Sequence, residues 1–320
     1  MKTILVTGGS GFIGSNIVKN LIAKNFSIKV FDNNSRGTFN NLSAISKNIT
    51  FIEGDIRDRE KVISISKNVD SIIHLAYING TENFYRKPYE VLDIAVKGMI
   101  NIIDCMSINN INELILASSS EVYQQPSIVP TDEKIPLYIP DIFNPRISYG
   151  GGKIISELLS INFARSTNKK LIIFRPHNVY GPNMGNDHVI PQFINSIIPQ
   201  LKNNEINLEI QGSGEETRSF IYIDDFIESF NIIFTNGNDQ NIYNLGTQDE
   251  ISIKNLVNLI SKVINKKIDI IHKEINLGSA TRRCPDISKV KSLGFQPKIN
   301  LEVGVNKTFN WYFKEYEKKI

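Results

Sequence analysis

Along the first half of the chain, short runs of β-branched and aliphatic residues alternate with longer stretches whose apolar positions recur at helical spacing. The short runs fall at 3–7, 28–32, 50–53, 71–75, 113–118 and 171–175 and are almost continuously apolar. A strand that is apolar on both faces has to be covered on both. The longer stretches, at about 11–24, 89–108 and 149–166, have the length of crossover helices. Strand and helix in alternation therefore predict an α/β fold built on a doubly wound parallel sheet. After Pro176 the rhythm breaks into shorter segments rich in Pro, Gly and Asn, such as GPNMGNDHVIP and QGSGEETRS, which predict a smaller α/β cap. The expected division is a first domain over 1–175 with a returning segment near 219–246, and a second over 176–218 and 247–320.

Composition narrows the picture in a few places. The chain has 320 residues, 41% of them hydrophobic, enough for a sizeable core. Its 36 basic and 33 acidic residues give a net charge of +3 and are dispersed, so no nucleic-acid partner is expected. The tail cluster Lys314, Lys318 and Lys319 is interleaved with Glu315 and Glu317, the pattern of a solvated helix end. Cys105 and Cys284 lie far apart and form no metal-spaced cluster, as two ordinary thiols in a reducing compartment would. Glycine interrupts the apolar N-terminus, and no window of about 18 residues is uninterruptedly apolar. No membrane span, no bound metal and a cytoplasmic location are expected.

Between the first run and the first helical stretch lies TGGSGFIGSN, with Gly8, Gly11 and Gly14 spaced by three and Gly9 also completing a G-x-G-x-x-G pattern. Glycine there permits a tight turn, lets a pyrophosphate approach the backbone, and lets helix pack closely on strand. The helix N-terminus then faces the anion. Asp32 follows 18 residues after Gly14 at the end of the second run. A carboxylate there accepts hydrogen bonds from a ribose and repels a 2′-phosphate, which favours NAD over NADP, although Arg36 nearby could meet such a phosphate. Asp55 and Ile56, in GDIRD, could flank the adenine, and Leu75 and Ala76, in HLAY, would bring small backbone near the pyrophosphate. His74 is read as a packed histidine.

Tyr149 and Lys153, in SYGGGK, are four residues apart and share one face if the segment is a helix. A phenol is a poor base at neutral pH, but a neighbouring ammonium favours its phenolate. The glycines 150–152 each cost about 1 kcal/mol relative to alanine inside a helix. Either their backbone closely approaches a ligand or another helix, or the run is a loop.

With these segments in hand, the chain resembles the extended short-chain dehydrogenases/reductases of the nucleotide-sugar epimerase/dehydratase family. TGGSGFIG, GDI, HLA, SSSEVY, SYGGGK, RPHNVYGP, TRSFIYIDD and RRCPDISK occur in that family's order over nearly the whole chain. The resemblance implies a Rossmann-type NAD-binding domain, a substrate-binding cap, bound NAD and a nucleoside diphosphate sugar as substrate. It implies a triad of Ser119, Tyr149 and Lys153. For the cofactor it implies Gly8, Gly11, Phe12, Ile13, Gly14, Asp32, Asn33, Asp55, Ile56, Leu75, Ala76, Ser118, Tyr149, Lys153 and Pro176. For the substrate it implies Asn178 and Arg218 near the diphosphate, Val189 and Ile190 along the base, and either Arg282 or Arg283 as a phosphate grip; arginine suits phosphate because its fork donates two parallel hydrogen bonds. It also implies a homodimer built on the helical stretches at 89–108 and 149–166.

Three positions depart from the family pattern. Gln124 stands where glycine usually follows Val-Tyr, Ala95 where asparagine is usual, and Tyr77 where HLAA has its last alanine. One residue bears on the reaction. Plain 4-epimerases of the family resemble Ser-Ala-Thr-Val-Tyr at 119–123, whereas this chain has Ser119-Ser120-Glu121. A glutamate there resembles the base of the 4,6-dehydratases, which removes the C5 proton of a 4-keto sugar. The thymidine-linked dehydratases pair it with an aspartic acid where this chain has Ser120; GDP-mannose dehydratases and UDP-glucuronate decarboxylases carry Ser-Glu. Dehydration is therefore expected, with 4-epimerisation, decarboxylation and net reduction as alternatives.

Overall fold

The computed structural model describes residues 1–274 and 281–319. In chain order its first elements are β1 (Thr3–Thr7), α1 (Phe12–Ala23), β2 (Ser27–Asp32), β3 (Ile49–Glu53), α2 (Arg59–Ile65), β4 (Ser71–His74), α3 (Thr81–Arg86), α4 (Pro88–Ile108), β5 (Glu113–Ala117), α5 (Ile147–Thr167) and β6 (Lys170–Pro176). There follow β7 (Val179–Tyr180), α6 (Val189–Ile197), β8 (Ile206–Gln211), β9 (Thr217–Ser219), β10 (Ile221–Tyr222), α7 (Ile223–Asn236), β11 (Asn241–Leu245) and β12 (Glu250–Ser252). The last are α8 (Ile253–Ile264), β13 (Ile268–Lys273), β14 (Arg282–Arg283), α9 (Ser288–Ser292) and α10 (Leu301–Glu317). The expected strands and helices of the first half are all present, with ends moved by no more than two residues. The short helices α2 and α3 lie in stretches where no helix is expected.

The chain divides into two compact units, the first made of Met1–Gln124, Pro136–Pro176 and Phe230–Tyr243, the second of Gln125–Ile135, His177–Ser229 and Asn244–Ile320. The first unit is a Rossmann-like α/β layer structure on a seven-stranded sheet of order β11-β6-β5-β4-β1-β2-β3. The pairs from β3 through β2, β1, β4 and β5 to β6 are all parallel. Their apolar continuity has the expected cause. Leu5, Phe31, Ile72, Leu114 and Leu116 share a buried cluster with Val62 of α2, Val91 and Ile102 of α4 and Ala164 of α5, while α1 packs on β1 and β2 and Phe174 of β6 meets Phe230 of α7 edge-on.

Chain order reverses between β1 and β4, and at such a switch point the loops leaving the two carboxyl ends diverge and open a crevice. Gly8 leaves β1 there and Leu75 leaves β4. A side chain on Gly8 would come within 2.7 Å of the Leu75 carbonyl carbon and the Ala76 nitrogen.

The second unit is built of smaller pieces. Three strands pair as β12-β9-β14, two as β13-β8 and two as β10-β7. β8 alternates buried Ile206, Leu208 and Ile210 with exposed residues, a half-solvated strand unlike β1. Ser252 caps α8 and Asn300 caps α10, each side chain accepting a backbone N–H of the first turn. Both cysteines are buried and unpaired. Among the described residues no helix is long and apolar enough to cross a membrane, and no group of His, Cys, Asp and Glu is gathered for a metal ion.

Candidate active site

The glycine turn is dictated by packing at two of its three positions. Gly8 adopts φ +71, in the left-handed region that glycine enters freely, and a Cβ on Gly14 would lie 2.2 Å from the Gly8 carbonyl oxygen. Gly11 is different. Among the described residues a Cβ there would meet one neighbour, the Gly8 carbonyl oxygen at 3.4 Å, an ordinary contact that does not ask for glycine. Gly11 is also the N-cap of α1, and no side chain caps that end. The amide donors of the first turn, over Phe12, Ile13 and Gly14, thus open onto space above a glycine, the arrangement that a pyrophosphate requires. The residues present fit NAD.

Asp32, at the carboxyl end of β2, is buried. Its Oδ2 accepts the Ser10 N–H at 2.9 Å and its Oδ1 the Asn34 N–H at 2.9 Å, which aims the carboxylate and leaves lone pairs on both oxygens. Asn33 beside it is exposed and turns its Oδ1 to the Ser35 N–H. Asp55 is held by Arg57, whose Nε and Nη2 reach its two oxygens at 2.9 and 2.7 Å and keep its carboxyl below the ordinary range. Ile56 is buried against Gly98 of α4, Pro176 ends β6, and Ser118, just past β5, is buried with its Oγ unpartnered among the described residues.

Over 147–167 the chain is helical, so Tyr149 and Lys153 do share a face, and the glycines do not form a loop. Their tolerance has two physical reasons. A Cβ on Gly152 would lie 2.8 Å from the Ala95 Cβ of α4, and one on Gly150 would lie 2.3 Å from the Gln124 amide nitrogen and 2.8 Å from the Glu121 carbonyl oxygen. Ala95 and Gln124, two departures from the family pattern, are thus each matched by a glycine. Gln124 takes φ +52 and donates its amide to the Glu121 carbonyl at 2.7 Å.

Tyr149 is 6% exposed and Lys153 2%. Burial pushes the Tyr149 hydroxyl well above its ordinary pKa; a hydrogen bond with the Ser119 hydroxyl opposes this, and the nearby charge of Glu121 adds to it. Burial also drives the Lys153 amine well below its ordinary value. Its Nζ donates to the Ala117 carbonyl at 2.6 Å and lies 5.7 Å from the Tyr149 ring centroid. Phe84 of α3 stacks on Tyr149 at 4.7 Å.

Ser120–Tyr123 form a single 3-10 turn after β5, with Ser120 buried. The Ser119 Oγ accepts the Glu121 N–H at 3.1 Å, fixing the turn. The Glu121 side chain, 18% exposed, faces the Nη2 of buried Arg146 at 3.4 Å. Ser119, Glu121, Tyr149 and Lys153, from two segments of chain, are therefore brought together within the first unit.

In the second unit, Asn178 takes φ +38 and donates its amide to the Ser219 carbonyl at 2.8 Å. Ile190 is part of the core, while Val189 opens α6 and is partly exposed. β14 pairs with β9 so that Arg283 lies directly beside Arg218. Arg282 points elsewhere: its Nε and Nη2 grip both oxygens of Glu250, at 2.8 Å to each. Of the two late arginines left open in the sequence, Arg283 is thus the one paired beside Arg218 and Arg282 the one held by Glu250.

Sequence reasoning missed Arg146 and Phe84, which carry no motif, and the buried pair Arg175 and Glu157. Glu157 could have been found, because it continues the i, i+4 stripe of Tyr149 and Lys153 by one more turn.

The model of the NAD dependent epimerase/dehydratase family matches residues 4–246. A protein of Methanocaldococcus jannaschii described as a putative UDP-glucose 4-epimerase is 35% identical over 313 residues, 96% of this chain and 97% of its own length. UDP-glucuronic acid decarboxylase 1 of Xenopus tropicalis is 30% identical, over 99% of this chain and 73% of its own. The crystal structure of a dTDP-glucose 4,6-dehydratase of Streptomyces venezuelae with NAD bound superposes with a TM-score of 0.89, covering 99% of this chain and 98% of that one. At 23% identity that likeness is one of fold.

Proposed function

The chain belongs to the NAD dependent epimerase/dehydratase family, and we propose that within it the protein is a nucleotide-sugar dehydratase, removing water from a nucleoside diphosphate hexose by way of a 4-keto sugar. The observation that carries this reading is the Glu121 carboxylate beside Tyr149, near enough for its charge to act on the phenol. Two candidate bases at one place suit a reaction that takes two protons from neighbouring positions of one sugar.

When bound, NAD supplies a reversible two-electron acceptor for the sugar carbon; Asp32 and the turn from Gly8 to Gly14 would hold it. The side chains do the rest. Tyr149 Oη takes the proton of the C4 hydroxyl, with Ser119 Oγ hydrogen-bonded to it and the Lys153 ammonium favouring the phenolate. The new carbonyl acidifies the C5 proton, which the Glu121 carboxylate removes and passes to the departing C6 hydroxyl, so that water leaves; with the two electrons taken from C4 returned at C6 and a proton returned to C5, the 4-keto-6-deoxy sugar forms and Tyr149 and Glu121 regain their starting states. Arg146 holds that carboxylate, and Ser120 is buried alongside in the same turn. Arg218 and Arg283, paired across two strands, suit the diphosphate, with Asn178 and Val189 assigned to the same substrate.

A specific observation favours a second reading. The Methanocaldococcus jannaschii relative is described as a putative UDP-glucose 4-epimerase, and an epimerase needs no base beyond Tyr149. Incubation of the NAD-loaded protein with UDP-, GDP-, dTDP- and CDP-hexoses and UDP-glucuronate separates the readings. A 4-keto-6-deoxy product is expected, whereas a 4-epimer alone, or release of carbon dioxide, overturns dehydration. Glu121→Gln then sharpens the outcome: dehydration falls about a hundredfold or more, as expected for the loss of a general base, while epimerisation survives.

A further inference from the structure

We infer that Tyr77 is a positioning residue that keeps the Lys153 amine charged, an inference that rests on the proposed roles of Tyr149 and Lys153. Tyr77 replaces the small residue expected after HLA, and its side chain enters the same cluster. Its ring centroid lies 3.0 Å from Lys153 Nζ. Its hydroxyl bonds the Ser156 hydroxyl one turn along α5, and its ring meets Tyr149 edge-on at 6.5 Å and His74 at 5.5 Å.

The environment explains why such a ring matters. Burial drives Lys153 toward the neutral amine, and a neutral amine no longer favours the Tyr149 phenolate. The titratable and charged groups around it are Tyr149 and Glu157 on α5, His74 on β4, Tyr77 just after β4, and Arg175 on β6. Among the described residues the opposing charge that acts on Lys153 is that of Glu157, which offsets burial only in part. Glu157 is gripped through both oxygens by Arg175, at 2.9 and 2.6 Å. His74 is held at a pKa of about 3, by burial first and then by the Lys153 charge, and so stays neutral. Burial likewise keeps Tyr77 a phenol, with its hydroxyl committed to Ser156, so it is no rival to Tyr149 as base. What faces the ammonium is the Ala117 carbonyl and the negative face of the Tyr77 ring, and a desolvated cation gains most from such a face.

The test compares Tyr77→Leu, which fills the space without a π-face, with Tyr77→Phe, which keeps the face and loses the hydroxyl. In NAD-loaded protein, with whichever sugar of the panel the wild type consumes, Tyr77→Leu is expected to lower kcat about tenfold. KM should stay within about twofold, since the ring touches no substrate-recognising group. The rising limb of kcat with pH should move up by about one pH unit, because a weaker cation leaves the Tyr149 phenolate less favoured. Ultraviolet titration of the Tyr149 phenolate without sugar, identified by its loss in Tyr149→Phe, should move the same way. Tyr77→Phe should lie within about threefold of wild type. Wild-type rate and titration in Tyr77→Leu, or equal damage in Tyr77→Phe, overturns the role of Tyr77 while leaving the triad intact. Undiminished turnover in Tyr149→Phe overturns the catalytic reading itself, and the role of Tyr77 with it. Should Tyr77→Leu not fold, Tyr77→Met carries the same comparison.

Discussion

Two buried cations sit close together in the first unit, and the protein treats them in opposite ways. Arg175 is 2% exposed; burial opposes its charge, but the bidentate grip of Glu157 overcomes that and raises its pKa, with the Tyr123 hydroxyl accepting a further bond at 2.8 Å. Lys153, four residues before Glu157 on α5, is equally buried, yet it contacts a backbone carbonyl and an aromatic face, the charge of Glu157 offsets burial only in part, and its pKa is driven down. One charge is fully matched and serves structure. The other is left short of a partner, which costs stability and keeps its charge available to act on a neighbour.

The comparison breaks most visibly at the matched pair. Arg175→Met leaves the Glu157 carboxylate buried and unpaired, and should cost about 3–5 kcal/mol in denaturant unfolding. Adding Glu157→Leu removes the stranded charge, so the double variant should recover most of that loss. A single variant that costs less than about 1 kcal/mol would show the pair to be more hydrated than its burial implies. Because Tyr123 ends the turn that carries Glu121, the single variant should also lower activity through that turn.

The unmatched cation should respond with the opposite sign. Lys153→Met is expected to abolish turnover yet raise stability by about 1–2 kcal/mol near neutral pH, since a poorly paired buried amine is replaced by an apolar chain of similar length. The pH dependence follows from the depressed pKa of Lys153. Between the folded value and the ordinary lysine value the unfolded chain holds a proton that the folded chain does not, so wild-type stability rises with pH across that window. The variant should lack that rise. A stability difference that does not change with pH would mean that Lys153 is no less easily charged in the folded chain than in the unfolded one.

The same helix marks where the sequence was readable. β1 to β6, the glycine turn and the Tyr149–Lys153 spacing were legible because each obeys a local rule: apolar continuity, a turn requiring glycine, a four-residue period. The inward side of α5 obeys none. It buries Ser148, Lys153, Ser156, Glu157 and Ser160, while Ile155 and Leu158 are exposed, the reverse of ordinary amphipathicity. Arg146, Phe84 and Tyr77 were illegible as site residues because their partners come from distant stretches of chain. Likewise, Arg282 and Arg283 are adjacent and chemically identical in sequence, and only the pairing of β14 with β9 separates the one held by Glu250 from the one beside Arg218.

The glycines of α5 give the smallest effects and the finest test of how tightly this unmatched side is packed. At Gly152 an added methyl meets the Ala95 Cβ, so Gly152→Ala should cost about 1–2 kcal/mol as α4 and α5 are pressed apart. At Gly150 the methyl meets the Glu121 carbonyl and the Gln124 amide. Gly150→Ala should therefore shift the turn that bears Glu121 and lower dehydration more than stability. An added Cβ on Gly151 would meet nothing nearer than 3.7 Å among the described residues, so Gly151→Ala should gain about 0.5–1 kcal/mol from helix propensity and a stiffer unfolded chain. Thermal melting of the three variants gives the order directly. If Gly151→Ala is instead the most damaging, that glycine answers to a neighbour outside this chain, and the helix surface around it is where such a neighbour binds.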